Sequence, residues 1–189
     1  MRRARPPPHR SALARALLGT ETMTAQATDP ATDDLRTLLG REHTYLNALF
    51  ENIVDAFDTN NSSWCAECFG ELEQRLEGHM RLEEEQIFPG LQRVDPVEAD
   101  ALREQHARIR TQLASLAVGV DLHTAQATAI HDLVRVLREH ASREDALAYR
   151  WADANLDAPS HAKLQTRVRE RISSLVERAR SRWGIQKIV

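Results

Sequence analysis

His79 and Glu83 stand four residues apart, and so do His140 and Glu144. On an α-helix that spacing puts both side chains on one face, roughly 6 Å apart along the axis. Apolar residues continue each face: Phe69, Leu72 and Leu76 ahead of the first pair and Ile87 behind it; Leu133 or Val134 and Leu137 ahead of the second, Leu147 or Ala148 behind it. Both pairs therefore lie in a stripe that faces a core. A carboxylate is almost never fully buried without a partner. Imidazole beside carboxylate is the donor set of a transition-metal site, and a metal ion is the partner that both pairs lack.

Two further histidines sit on apolar stripes. His43 follows Leu35 and Leu39 and precedes Leu46, Phe50, Ile53 (or Val54) and Phe57; His106 lies between Leu102 and Ile109, Leu113 and Leu116. Four helices must carry these groups. The first is expected over about 33–57, capped by Thr32 or Asp33, and the second from near Ser63 to a stop at Pro89-Gly90. Asp95 caps the third, with Pro96 in its first turn and Glu98 reaching back as in a capping box, and it ends near Gly119. The fourth runs from about Thr124 to about Asn155. After Asp157-Ala-Pro159-Ser160, a fifth helix over about 160–182 carries Leu164, Val168, Ile172, Leu175 and Ala179 on one face and ends at Trp183-Gly184. No stretch alternates as a strand would.

Short connections make sequential helices antiparallel, so the expected fold is all-α: an up-down-up-down four-helix bundle with an additional C-terminal helix. Counted from the helix ends, all four imidazoles fall in one layer, roughly 15 Å from one end of the bundle, with Glu83 and Glu144 about a turn closer to it. His43 precedes His79 by 36 residues and His106 precedes His140 by 34. Each half is thus a hairpin offering one His and then His-x-x-x-Glu, a pseudo-twofold pocket suited to two metal ions bridged by two carboxylates. Six nitrogen and oxygen donors suit Fe, Mn or Zn better than Ca or Mg. The competing reading is four core histidines and two buried glutamates paired with arginine.

With Arg-Glu-His43, His79-x-x-x-Glu83-Glu84 followed by Ile-Phe-Pro, Glu-Gln-His106 and Glu-His140-x-x-x-Glu144 in this order, residues 33–155 resemble the hemerythrin-like (HHE cation-binding) family. The resemblance implies a non-haem di-iron site, oxo- or hydroxo-bridged, with His43, His79, His106 and His140 as terminal ligands and Glu83 and Glu144 as bridges; Mn and Zn are the alternatives on ligand type. Oxygen-carrying members have a second histidine one turn from the one on the third helix. Here those positions hold Leu102 and Arg110, which argues against a reversible carrier. The carriers also place the last carboxylate five residues after its histidine, where this chain has Asp145; Glu144 keeps to the stripe. The expected function is a di-iron protein that binds or senses O2, NO or iron. The alternatives are a redox enzyme acting on peroxide or NO, an iron donor in cluster repair, and a structural bundle with zinc or no metal.

Other features bound the reading. At 189 residues with net charge −3 and 28% charged residues, the chain gives no charge argument for nucleic acid or membrane. A cytoplasmic location is the default, and self-association through the fifth helix is one use of its apolar face. The expected organisation is a basic disordered tail over 1–30, the di-metal bundle over 31–156, and the C-terminal helix over 157–189, packing on the bundle. The tail carries Arg2, Arg3, Arg5, Arg10 and Arg15 against one acid, Glu21, and Pro6-Pro7-Pro8 is not helical. Translation is expected to start at Met23. Cys65 and Cys68 form a C-x-x-C without the βαβ context of a redox motif, and read as small packed residues. His9, His123, His131 and His161 read as non-ligands and Trp151 as core; Tyr45 and Tyr149 lie near the ligand layer in sequence and read as packing, with a hydrogen-bond donor to the ligands or a radical site as the alternative.

Overall fold

The computed structural model describes residues 33–121, 124 and 126–183. The basic tail, Met23, His9, His123 and the stop at Gly184 lie outside the described residues.

Helix α1 (Leu35–Asp58) starts at Asp34, whose carboxylate accepts from Thr37 N at 2.7 Å. Asp34 is therefore the cap, and Asp33 pairs instead with Arg41 at 2.7 Å. The first amides of α1 also donate to Asp153, Leu35 N at 2.9 Å and Arg36 N at 3.2 Å. A short turn with Asn60 in the left-handed region (φ 54°), where asparagine is tolerated, leads to α2 (Ser62–Gln86), capped by Asn61. Pro89-Gly90 does not end the structure as expected. The break falls at Ile87, and Pro89 sits in the first turn of a short helix α3 (Phe88–Val94), where its missing N–H costs nothing.

Helix α4 (Pro96–Asp121) starts as expected at Asp95, whose Oδ1 accepts from Glu98 N at 3.0 Å. The Glu98 side chain does not reach back; it takes a bidentate pair from Arg143 at 2.6 and 2.7 Å, a stronger charge-assisted contact. The expected fourth helix is two, α5 (Ala127–Ala146) and α6 (Ala148–Asn155), broken at Leu147. Helix α7 (Ala158–Trp183) follows.

The chain belongs to one all-helical layer arrangement: α1 packs on α2 and α5, and α4 packs on the same two, which closes a four-helix ring. Helices α3 and α6 cap one end of it, and α7 lies along α1. Two apolar clusters fill the interior. One, toward the loop between α1 and α2, includes Leu49, Phe50, Leu72, Ile109 and Leu137; the other, toward α3 and α6, includes Leu38, Phe88, Leu102, Leu164 and Val168. His79, Glu83, His106, His140 and Glu144 lie between them, each at most 4% exposed.

The capping helices meet closely. A Cβ on Gly90 would stand 2.2 Å from Cη2 of Trp151, so glycine is what allows α3 and α6 to approach. Gly90→Ala is expected to lower stability by about 1–3 kcal/mol, the usual cost of overpacking, and thermal denaturation of the variant checks it.

Candidate metal centre

Four helices present one histidine each to the buried layer: His43 from α1, His79 from α2, His106 from α4 and His140 from α5. They meet as two pairs. His43 Nε2 lies 2.9 Å from His79 Nε2, and His106 Nε2 lies 3.0 Å from His140 Nε2. Each pair belongs to one hairpin. The carboxylates cross between hairpins. Glu83 Oε1 faces His79 Nε2 at 3.3 Å while its Oε2 faces His106 Nε2 at 3.5 Å. Glu144 Oε2 faces His43 Nε2 at 3.5 Å while its Oε1 faces His106 and His140 Nε2 at 3.3 and 3.0 Å. His43, His79, Glu83 and Glu144 make one cluster that could hold an ion, and Glu83, His106, His140 and Glu144 make the other.

The outward ring nitrogens explain which way the inward ones face. His79 Nδ1 donates to Glu42 at 2.8 Å, His106 Nδ1 to Glu84 at 2.8 Å, and His140 Nδ1 to the Gln105 carbonyl oxygen at 3.0 Å. An N–H engaged on the outside leaves the Nε2 lone pair on the inside, the arrangement in which imidazole binds a metal. In the His106–His140 pair two lone pairs thus face each other at hydrogen-bond distance, which is repulsive without a cation. Glu83 Oε2 is buried and without a hydrogen bond. Donors bound at about 2.1 Å on cis positions of one ion lie roughly 3.0–3.4 Å apart, which is the spacing found here.

The electrostatics agree. Burial and the nearby Glu144 charge push Glu83 well above the usual carboxylate range. Burial acts on Glu144 in the same direction, but the imidazoles of His140, His106 and His43 around it hold its carboxyl well below. Burial, above all, keeps His79 neutral, against the pull of Glu42. In Glu42 burial is outweighed by the His79 hydrogen bond and by Arg171, and its carboxyl stays low. The two buried carboxyls of the layer are thus pushed apart, Glu83 up and Glu144 down. The raised Glu83 pKa favours the fold while Glu83 keeps its proton. That contribution is present below the ordinary carboxylate value and is lost as pH rises through the folded one. An ion must displace the proton. Binding is therefore expected to tighten with pH above the usual carboxylate range and to release a proton. Calorimetry in buffers of different ionisation enthalpy measures the release, which Glu83→Gln should abolish.

One resident of the layer takes the lesser of its two sequence readings. Tyr149, fully buried, is not plain packing. Its hydroxyl donates to Glu83 Oε1 and lies 3.1 Å from His43 Nε2, 3.3 Å from His79 Nε2 and 3.2 Å from Glu144 Oε2. Burial, above all, and the neighbouring Glu144 carboxylate push the phenol well above its usual range. The cluster with His106 and His140 has no such neighbour; Phe88 stacks on His106 at 5.1 Å.

The model of the hemerythrin HHE cation-binding domain matches residues 34–152. The chain belongs to that family. Comparison with curated proteins and with solved structures returned no match. The hemerythrin domain thus spans α1 to α6 and stops before α7. Within it Glu144 reaches both histidine pairs, while Asp145 stays outside, its Oδ1 3.8 Å from His43 Nδ1. Glu84 likewise faces outward, held by Arg110 at 2.8 and 3.1 Å. Neither Leu102 nor Arg110 reaches the centre: Leu102 is buried among apolar residues and Arg110 pairs with Glu77 and Glu84. No arginine pairs with Glu83 or Glu144 among the described residues, so the competing reading of arginine-paired glutamates does not describe this layer.

The remaining candidates fall away from the site. Cys65 and Cys68 are buried near the start of α2, and burial pushes the Cys65 thiol up, away from reactivity. His131 is exposed, and His161 pairs with Asp153 at 3.0 Å. Trp151 is half-buried against Gly90. A cavity of about 430 Å³ opens between α1 and α5 and reaches His43, His79 and His140, past Phe50, Leu137 and Arg138. No helix of the described residues is long and apolar enough to cross a membrane.

Proposed function

We propose that this hemerythrin-domain protein holds two iron ions and uses them to bind or sense a small ligand such as O2 or NO. The observation that carries the reading is the pair of crossing carboxylates. Glu83 and Glu144 each offer one oxygen to each histidine pair, the arrangement two ions sharing two bridges require. His43 and His79 would hold the first ion, and His106 and His140 the second. Bound iron would supply an open coordination position and reversible one-electron chemistry.

The chain's own groups shape what reaches that position. The cavity between α1 and α5 leads to the edge of His43, 13% exposed in its side chain, so the first cluster faces the solvent path. His106 is fully buried beneath Phe88, so the second does not. Leu46, Phe50, Leu76 and Leu137 make the path largely apolar, which suits an uncharged diatomic. Tyr149 places an O–H at the first cluster, where it can serve as a fifth donor to the ion or give a hydrogen bond to a bound ligand. That hydroxyl also favours the second reading, a redox enzyme reducing peroxide or NO, because such reductions consume protons at the site.

Elemental analysis of protein purified without added metal tests the centre. Two irons per chain are expected, with near-ultraviolet bands that change on adding reductant. One zinc or no metal would sink the reading. Ligand binding by the reduced protein without turnover supports a binding or sensing role, and catalytic loss of peroxide or NO supports the enzyme.

A further inference from the structure

Helix α7 lies beyond the family domain, yet it reaches the first cluster. Arg171 Nε donates to Glu42 Oε1 at 2.7 Å, and Glu42 Oε2 accepts from His79 Nδ1 at 2.8 Å. Three side chains thus form one file from α7 through α1 to α2. Glu42 and His79 are 3% and 1% exposed. The guanidinium is held a second time, donating to the Arg75 carbonyl at 3.2 Å. It arrives through a gap that glycine leaves: a Cβ on Gly78 would lie 2.7 Å from Arg171 Nη1.

The other histidine pair is the comparison. His106 also donates to a glutamate, Glu84, but the cation on Glu84 is Arg110, one turn along α4 from His106 itself. The bundle provides for His106 from within. For His79 the corresponding cation comes from α7.

We propose that Arg171 is a positioning residue for the first metal site: it holds the Glu42 carboxylate against His79 Nδ1 and so fixes the His79 ring with its Nε2 turned into the cluster. A carboxylate behind a ligating histidine sets its tautomer and orientation. A buried carboxylate keeps its place only while a cation answers it. The first site is therefore completed by a helix that the family domain does not include. The inference rests on the two clusters being metal sites.

The test is anaerobic titration of Fe(II) into metal-free, full-length protein in competition with a chelating dye. Arg171→Ala should weaken one of the two binding steps by about 10–100-fold and leave the other unchanged. Arg167→Ala is the control, since it removes an α7 cation whose partner is the exposed Glu85, 3.6 Å away. It should bind as the parent does. Glu42→Gln should weaken the same step as Arg171→Ala, and the double variant should bind no more weakly than either, because the two residues act as one unit. Gly78→Ala repeats the loss without touching Arg171 or Glu42: its Cβ displaces the guanidinium, and the same binding step should weaken. Parent-like binding by Arg171→Ala overturns the inference, as do additive effects with Glu42→Gln or a Gly78→Ala protein that loses affinity at both steps alike. A parent that binds no iron overturns the site reading itself. Two ions bound equally well by parent and Arg171→Ala overturn this inference alone.

Discussion

Glu83→Leu should carry no metal and, compared with its parent as metal-free proteins, should melt higher. Glu83 is fully buried and belongs to both clusters, so its loss would take one donor from each at once. In the metal-free protein the same side chain is a liability. It keeps its proton only because burial and Glu144 force it to, and its Oε2 has no hydrogen bond. Leucine is of similar size and sits between two apolar clusters. Replacing buried ionic groups by apolar ones of like volume often stabilises by about 1–3 kcal/mol. For a chain of this length that is roughly 5 °C. Tyr149 loses its Glu83 acceptor but keeps Glu144 and two imidazoles within 3.3 Å. Elemental analysis and thermal denaturation in chelator decide the matter. Full metal content, or a lower melting point, would refute the assignment of Glu83 as a shared ligand.

Tyr149→Phe should leave the fold intact and change the spectrum and affinity of one site. Its hydroxyl touches both imidazoles of the His43–His79 cluster and neither of the other, so that cluster is the one it can serve as a fifth donor. If that oxygen bonds to iron, the ferric parent shows a visible band from phenolate-to-metal charge transfer, and the variant does not. Binding at the first site should weaken by about tenfold, roughly 1.4 kcal/mol, with the second unaffected. The metal-free variant should lose about 1 kcal/mol, because the buried Glu83 carboxyl loses its O–H donor. A ferric parent without the band, or a variant with an unchanged spectrum and affinity, would show that the phenol is not a donor.

The four histidines and two glutamates were legible because a core-facing stripe on a helix has a period that a polar residue cannot enter without a partner. The same rule hid Tyr149. Five residues after Glu144 on an unbroken helix, it would point about 140° away from the glutamate. The break at Leu147 (φ −124°, ψ −67°) turns the following segment and brings the hydroxyl back into the layer. Nothing local announces that break, since Glu-Asp-Ala-Leu-Ala-Tyr holds neither glycine nor proline. Pro89 misled in the opposite direction: it marks the start of a helical segment there. Glu42 directly precedes His43, yet its role depends on Arg171, 129 residues away, and no periodicity encodes such a pairing.

The crossing of Glu83 and Glu144 has a mechanical consequence. The histidines of a pair come from a single hairpin, so they alone would let the two hairpins slide past each other. The carboxylates do not. Any ion seated in either cluster would be tied to both hairpins, and two such ions would act as a pair of rivets through the bundle's waist. Shear of one hairpin against the other would then strain both seats together. Loss of metal and loosening of the two halves would be linked, and a loaded centre would be a clasp as much as a binding site.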